Sequence, residues 1–310
     1  MTSTFSENIL QTIGNTPLVK LSKIVPENCA DIYVKLEYFN PTGSYKDRMA
    51  LAIIEEAEKR GDIKPGTLIV EYTGGSTGTS LAFVCAVKGH TFKAISSDAF
   101  AKEKLQSIKL FGADLEIVPC VDGKITPDLF VRMEERVLAL QKQGAYWTKQ
   151  FENRDAMIGY AKMGKEILTQ LNTPIDIFCA AVGTAGMLSG VGQELKKATP
   201  GIKIIALEPA SSPFLTKGEK GSHRVEGTAT GRQPQMLTKD SYDEALAIDE
   251  AKGRETARLL AAREGIFAGT SSGLNICAAI ELGKKLGPGH TIVTVACDSG
   301  MKYLAGDLYS

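Results

Sequence analysis

Beyond residue 66 the chain alternates runs of aliphatic and β-branched residues with stretches of helical composition, and no other feature constrains its fold as strongly. Residues 67–71, 92–96 and 114–118 read as strands, with helices at 77–87, 101–110 and 126–143. A second series follows: helix 154–171, strand 175–181, helix 187–197, strand 203–207, helices 250–263 and 274–286, and a last strand at 291–296. Ahead of both lie a turn with a short strand within 13–21 and a strand at 31–37. Strands that alternate with helices in this way form a parallel sheet, and the helices cover its faces. The expectation is an α/β protein of mostly parallel, twisted sheets flanked by helices. Residues 209–242, rich in Ser, Gly, Pro and Lys and without periodicity, are expected to form long loops of functional importance.

Ligands of open α/β sheets bind at the carboxyl ends of strands, and four loops at such ends carry chemistry. The first, Asn40-Pro41-Thr42-Gly43-Ser44-Tyr45-Lys46-Asp47-Arg48, closes a strand and opens a helix, with Ser44 as a good N-cap. Lys46 then stands in the first helical turn, where its charge opposes the helix dipole. That opposition, with burial, lowers a lysine pKa, as an amine nucleophile requires. The second loop is Thr73-Gly74-Gly75-Ser76-Thr77-Gly78. Its glycines let backbone amides face a bound group and its hydroxyls add donors, so it suits a carboxylate or phosphate; an ordinary turn is the alternative. The third, Gly183-Thr184-Ala185-Gly186-Met187-Leu188-Ser189-Gly190, fits a phosphate in the same way. A dinucleotide is the alternative there, because the next strand ends at the acidic Glu208, but Ala185 breaks the G-x-G-x-x-G spacing and one phosphate fits better. The fourth is Gly269-Thr270-Ser271-Ser272-Gly273, also opening a helix, where Ser271 reads alternatively as an N-cap.

Composition narrows the function classes. Net formal charge is zero, so the electrostatic footprint of a nucleic-acid or polybasic membrane binder is missing and small-molecule chemistry is expected. The six cysteines lack a C-x-x-C pair and sit mostly in apolar contexts, which points to reduced thiols instead of disulfides or zinc; with three histidines, no metal centre is expected. Residues 1–7 show neither a basic n-region nor an apolar h-region, and the most apolar run, 177–192, is broken by glycines and hydroxyls, so a cytoplasmic protein without a secretory signal or a membrane span is expected.

Ile13-Gly14-Asn15-Thr16-Pro17-Leu18, the Lys46 segment, the loops at 73–78 and 183–190, and Gly265-Ile266-Phe267-Ala268-Gly269-Thr270-Ser271-Ser272-Gly273 together resemble, in this order, the cysteine synthase/cystathionine β-synthase family. The likeness spans essentially the whole chain. It implies a fold type II pyridoxal 5'-phosphate enzyme of two lobes, a larger one from 1–40 and 153–310 and a smaller mobile one from 41–152, and a homodimer. By resemblance Lys46 is the Schiff-base lysine, Gly183, Thr184, Ala185, Gly186 and Met187 form the phosphate cup, and Ser271 bonds the pyridine nitrogen. Thr73 and Thr77 with Gly74 and Gly75 bind the substrate carboxylate. Gln150 is a cleft glutamine near the substrate, and Gly227 belongs to a loop lining the site.

The family pattern T-S-G-N-T-G is replaced here, with Gly74 removing a hydroxyl and Ser76 standing for the asparagine against the cofactor ring. Arg232, in an altered loop, is a candidate for an anionic substrate group, with a solvated arginine as the plain alternative. The implied reaction is β-replacement on an activated serine or cysteine through α-aminoacrylate, adding sulfide, a thiol or another nucleophile. The alternatives are β-elimination of the cysteine desulfhydrase or serine/threonine dehydratase type, and a catalytically weak cofactor-binding protein that acts through a partner.

Overall fold

The computed structural model describes residues 5–122, 126–231 and 233–310. In chain order the elements are β1 (Leu18–Lys20), β2 (Asp31–Leu36), α1 (Lys46–Arg60), β3 (Leu68–Tyr72), α2 (Ser76–Lys88), β4 (Thr91–Ser97), α3 (Lys102–Leu110), β5 (Asp114–Val118), α4 (Pro127–Lys142), β6 (Tyr146–Trp147), α5 (Asp155–Gln170), β7 (Ile177–Ala181), α6 (Gly186–Ala198), β8 (Lys203–Pro209), α7 (Phe214–Lys217), β9 (Glu244–Ile248), α8 (Glu250–Leu259), α9 (Thr270–Leu286) and β10 (Thr291–Ala296). Among the described residues no helix is long and apolar enough to cross a membrane.

The chain divides into two compact units, Met1–Ile13 with Lys46–Gly159, and Gly14–Tyr45 with Tyr160–Ser310. The junctions at 45/46 and 159/160 lie a few residues beyond the expected 40/41 and 152/153, and the segment ending at Ile13 goes with the smaller unit instead of the larger. The smaller unit carries a four-stranded, all-parallel sheet in the order β5-β4-β3-β6. One face buries Ile69, Phe92 and Ala94 against Ala50, Ile54 and Ala57 of α1, Leu81 and Val84 of α2, and Ile108 of α3. On the other face Leu129, Met133 and Val137, spaced at successive turns of α4, pack on Val70, Tyr72, Ile95 and Trp147. β3 is therefore covered on both sides, which is why Leu-Ile-Val is an unbroken apolar run.

The larger unit carries six strands in the order β1-β2-β10-β7-β8-β9, with β1 antiparallel and the remaining pairs parallel. Leu274, Ile276, Cys277, Ala278 and Leu282 of α9 share its core with Ile32, Val34, Cys179 and Ile292. The central strands β7 and β10 pair only at Ile292↔Ile177 and Val293↔Phe178. Further along, the Asn275 side chain of α9 bridges them: its Oδ1 accepts from the Ala181 amide at 2.7 Å and its Nδ2 donates to the Val295 carbonyl at 2.8 Å. Buried backbone groups require partners, and one amide side chain supplies both where the ladder stops. The sheet is thus held open at its carboxyl end, just before the loop that starts at Val182.

Candidate active site

In the smaller unit, β3 ends at Glu71 and Tyr72 and the chain turns through Thr73, Gly74 and Gly75 into α2. The Thr73 hydroxyl accepts from the amides of Gly75 at 3.1 Å and Gly78 at 3.3 Å, curling the loop around itself. Gly75 has φ 150°, a conformation closed to other residues, and the Phe100 ring fills the space a side chain at Gly74 would need. The missing hydroxyl at Gly74 is thus replaced by an aromatic wall. Thr77 donates to Gln150 Oε1 at 2.7 Å, and Gln150 Nε2 donates to the Tyr72 carbonyl at 3.0 Å. Thr73, Gly74, Gly75, Ser76, Thr77 and Gln150, separated by more than seventy residues in sequence, therefore come together.

Lys46, buried at 7% exposure, is the first residue of α1. Its neighbour Asp47 accepts from the Ser80 hydroxyl, one turn into α2, at 2.6 Å. That bond fixes the Lys46 end of α1 beside the helix opened by Ser76. Glu71 was not foreseen. Fully buried, it accepts from Trp147 Nε1 at 3.1 Å, the Tyr72 amide at 2.9 Å, Thr148 Oγ1 at 2.6 Å and the Gln150 amide at 3.0 Å. Burial pushes its carboxyl up to about 7, against the pull of those four donors. An acidic residue ending an apolar strand, directly before a glycine-rich loop, is the sequence signal that could have found it.

In the larger unit three segments are bonded to one another. Ala229 donates its amide to the Val182 carbonyl at 2.9 Å, the Glu226 amide donates to Thr270 Oγ1 at 3.1 Å, and Asn275 ties α9 to the end of β7. A Cβ on Gly183 would collide with the Gly227 carbonyl, so the loops at 183 and 227 approach as only glycine permits. Ala185, at the N-cap of α6, adopts a left-handed φ of 68°. Gly183, Thr184, Ala185, Gly186, Met187, Gly227 and Ser271 all lie on these three segments.

The hydroxyls of this region divide into two classes. Ser189 donates to the Met236 carbonyl, Thr228 to the Val225 carbonyl, Thr270 accepts from Glu226, and Ser272 accepts from the Cys297 amide. Among the described residues no protein group engages the hydroxyls of Thr184 and Ser271, although the two are only 7% and 6% exposed. The first amides of α6 also have no carbonyl to bond within the helix, and residues 183–187 include no acidic side chain. A set made of donors suits a phosphate dianion at a helix N-terminus, and a neutral hydroxyl suits a ring nitrogen. The residues present fit pyridoxal phosphate. The dinucleotide alternative loses its acidic anchor, because Glu208 accepts from the amides of Leu215 and Thr216 and from the Thr216 hydroxyl, capping α7. Ser76 is partly exposed, and its hydroxyl is engaged by no protein group among the described residues. Arg232 lies outside the described residues.

The family model for pyridoxal-phosphate dependent enzymes matches residues 9–298. A cysteine synthase of Staphylococcus aureus is 44% identical over 310 residues, covering 98% of this chain and 97% of that protein. An O-ureido-L-serine synthase of Streptomyces lavendulae is 37% identical over 305 residues, covering 97% and 92%. The crystal structure of O-acetyl serine sulfhydrylase isoform 3 from Entamoeba histolytica matches with a TM-score of 0.92 at 36% identity, over 100% of this chain and 93% of that one.

Proposed function

The chain belongs to the pyridoxal-phosphate dependent enzymes, in the cysteine synthase family, and on that premise we propose that it performs β-replacement on an activated serine, exchanging the β substituent for sulfide or another nucleophile. Bound pyridoxal phosphate supplies the electron sink that lets a β substituent leave an amino acid. Lys46 is the residue that would hold the cofactor covalently, and its amine would take the α proton of the bound amino acid. The amides of Gly183, Thr184, Ala185, Gly186 and Met187 and the Thr184 hydroxyl would hold the phosphate, and Ser76 would be a ring contact. Ser271, neutral where an aspartate would be charged, would offer the ring nitrogen a hydroxyl that does not favour its protonation, a setting suited to loss of a β leaving group. Thr73, Gly74, Gly75, Thr77 and Gln150 take the substrate carboxylate, and Gly227 keeps the facing loop close.

The observation that carries this reading is that Thr184 and Ser271, largely buried residues, have hydroxyls that no protein group engages among the described residues, whereas those of Ser189, Thr228, Thr270 and Ser272 are committed. A cytoplasmic homodimer belongs to the proposal; six free cysteines support a reducing compartment. Incubating the purified holoenzyme with O-acetylserine and sulfide is expected to yield cysteine and acetate, and Lys46→Ala to abolish the product. Pyruvate and ammonia as the main products in the presence of sulfide would replace this reading with β-elimination.

A further inference from the structure

We propose that Glu71 is a positioning residue for substrate binding: its carboxylate clamps the turn at Thr148, Lys149 and Gln150 and so holds the Gln150 side chain against Thr77 and the Tyr72 carbonyl. This rests on the reading of the 73–77 loop and Gln150 as the carboxylate site.

Two independent observations carry it. The first is the division of bonds between the two oxygens. Glu71 Oε1 accepts from Tyr72 and Trp147, which belong to the sheet, whereas Oε2 accepts from the Thr148 hydroxyl and the Gln150 amide, which flank a single residue. The second is the backbone of that residue: Lys149 sits at φ 51°, left-handed and unfavourable for a side chain with a Cβ. Such strain persists where the surroundings over-determine it, and it collects at functional sites. Here the two bonds to Oε2 close over the strained residue. The consequence is that Gln150 emerges from the turn with both ends of its side-chain amide already engaged, by Thr77 and by Tyr72.

A buried carboxylate in an otherwise apolar strand carries a desolvation cost that a purely structural position would avoid with an apolar residue. The groups that hydrogen-bond it are neutral. The charged residue of the turn, Lys149, has its ammonium over the Trp147 ring, 5.3 Å from the centroid. Once protonated, Glu71 becomes a donor among four donors, and the clamp loosens.

Glu71→Gln tests this without changing shape. Its oxygen can stay with Trp147 and Tyr72, leaving the new amide to face Thr148, whose hydroxyl can turn and accept, and the Gln150 N–H, which cannot. The holoenzyme variant is expected to keep the cofactor absorbance of the wild type, while its apparent constant for O-acetylserine, the concentration that half-saturates the initial rate of change in that absorbance, rises about tenfold, the size of one lost hydrogen bond to a charged group. Amide exchange at Gln150 should accelerate. The ratio of variant to wild-type constants should close toward one as pH falls from 8 to 6, a readout that a general loss of stability would not produce. Thr148→Val, which opens the same clamp from its other side, should raise the constant about threefold, less than a whole hydrogen bond. Combining Lys149→Gly with Glu71→Gln should restore part of the lost affinity by relieving the strain.

Gln150→Ala separates the two readings. If it weakens O-acetylserine binding while Glu71→Gln and Thr148→Val leave binding unchanged, the positioning role is wrong. If Gln150→Ala and Thr77→Val both leave binding unchanged, the carboxylate-site reading itself is wrong, and the inference falls with it.

Discussion

Thr184 and Ser271 differ from their neighbours in being buried yet unengaged by the protein, and this separates cofactor binding from folding at single residues. Thr184→Val and Ser271→Ala are expected to leave the stability of the cofactor-free protein within about 0.5 kcal/mol of wild type, since no protein group among the described residues uses these hydroxyls. Thr184→Val should weaken pyridoxal phosphate binding about tenfold or more, the scale of a hydrogen bond to a charged group, and Ser271→Ala about fivefold, the scale of one between neutral groups. Ser272→Ala should behave oppositely. It removes the hydroxyl to which the buried Cys297 amide donates, costing about 1 kcal/mol of stability before any cofactor is added. Paired melting curves and cofactor titrations check the contrast; equal destabilisation by all three variants would refute it. The glycines and hydroxyls of these loops were legible in the sequence because each loop is short and local. Which of two adjacent serines is spoken for was not, because Ser272 is committed to a strand end 25 residues away. Glu71 escaped for the same reason: its partners Trp147, Thr148 and Gln150 lie 76 to 79 residues along the chain.

The elements that sequence periodicity located well are those with long apolar runs, such as β7 and β10, whose residues are buried throughout. β6, two residues long, is too short to show a period, and β9 is an edge strand of Glu, Ala and Leu, half-buried and rich in poor strand formers. α9 begins at Thr270, not at the apolar Leu274, because the hydroxyl-rich stretch before it is a helical turn bonded to neighbouring loops. α8 stops at Leu259 and passes into a π turn, Leu260–Glu264, closed by Gly265 in the left-handed region. In the stretch 209–242, Pro209 ends β8, and the described residues beyond it form the short helix α7 and a 3-10 turn, Lys239–Ser241. Between elements, the main dependence falls on Asn275, which alone joins the Ala181 amide to the Val295 carbonyl. Asn275→Ala removes the side-chain partner of both buried groups, with only the weak Cys297 thiol donor at 3.9 Å from the Val295 carbonyl to compensate, and is expected to cost about 2–6 kcal/mol, at about 1–3 per group. Its denaturant midpoint should fall well below that of the wild type; an unchanged midpoint would mean that water or the neighbouring strands replace the bridge.

At the scale of the whole molecule, the alternation of strand and helix sufficed to call an α/β protein of parallel sheets, but not to divide it. Residues 41–45 belong to the larger unit because Ser44 pairs with Asp298 and the Tyr45 amide donates to the Cys297 carbonyl at 2.9 Å. Leu10 and Ile13 pack on the core that α1 and α2 share, which draws the N-terminal segment into the smaller unit. The first pair of contacts spans most of the chain and the second joins residues tens of positions apart, so neither leaves a local trace. The larger-unit junction therefore ends at Tyr45 and the smaller unit resumes at Lys46, so the lysine proposed to carry the cofactor is the first residue after a change of unit. Reduction of the holoenzyme with borohydride, followed by digestion and mass mapping of every lysine-containing peptide, tests that assignment directly. The cofactor is predicted on the peptide carrying Lys46 and on no other; its recovery on a different lysine, or on none while the protein still binds it, would contradict the assignment.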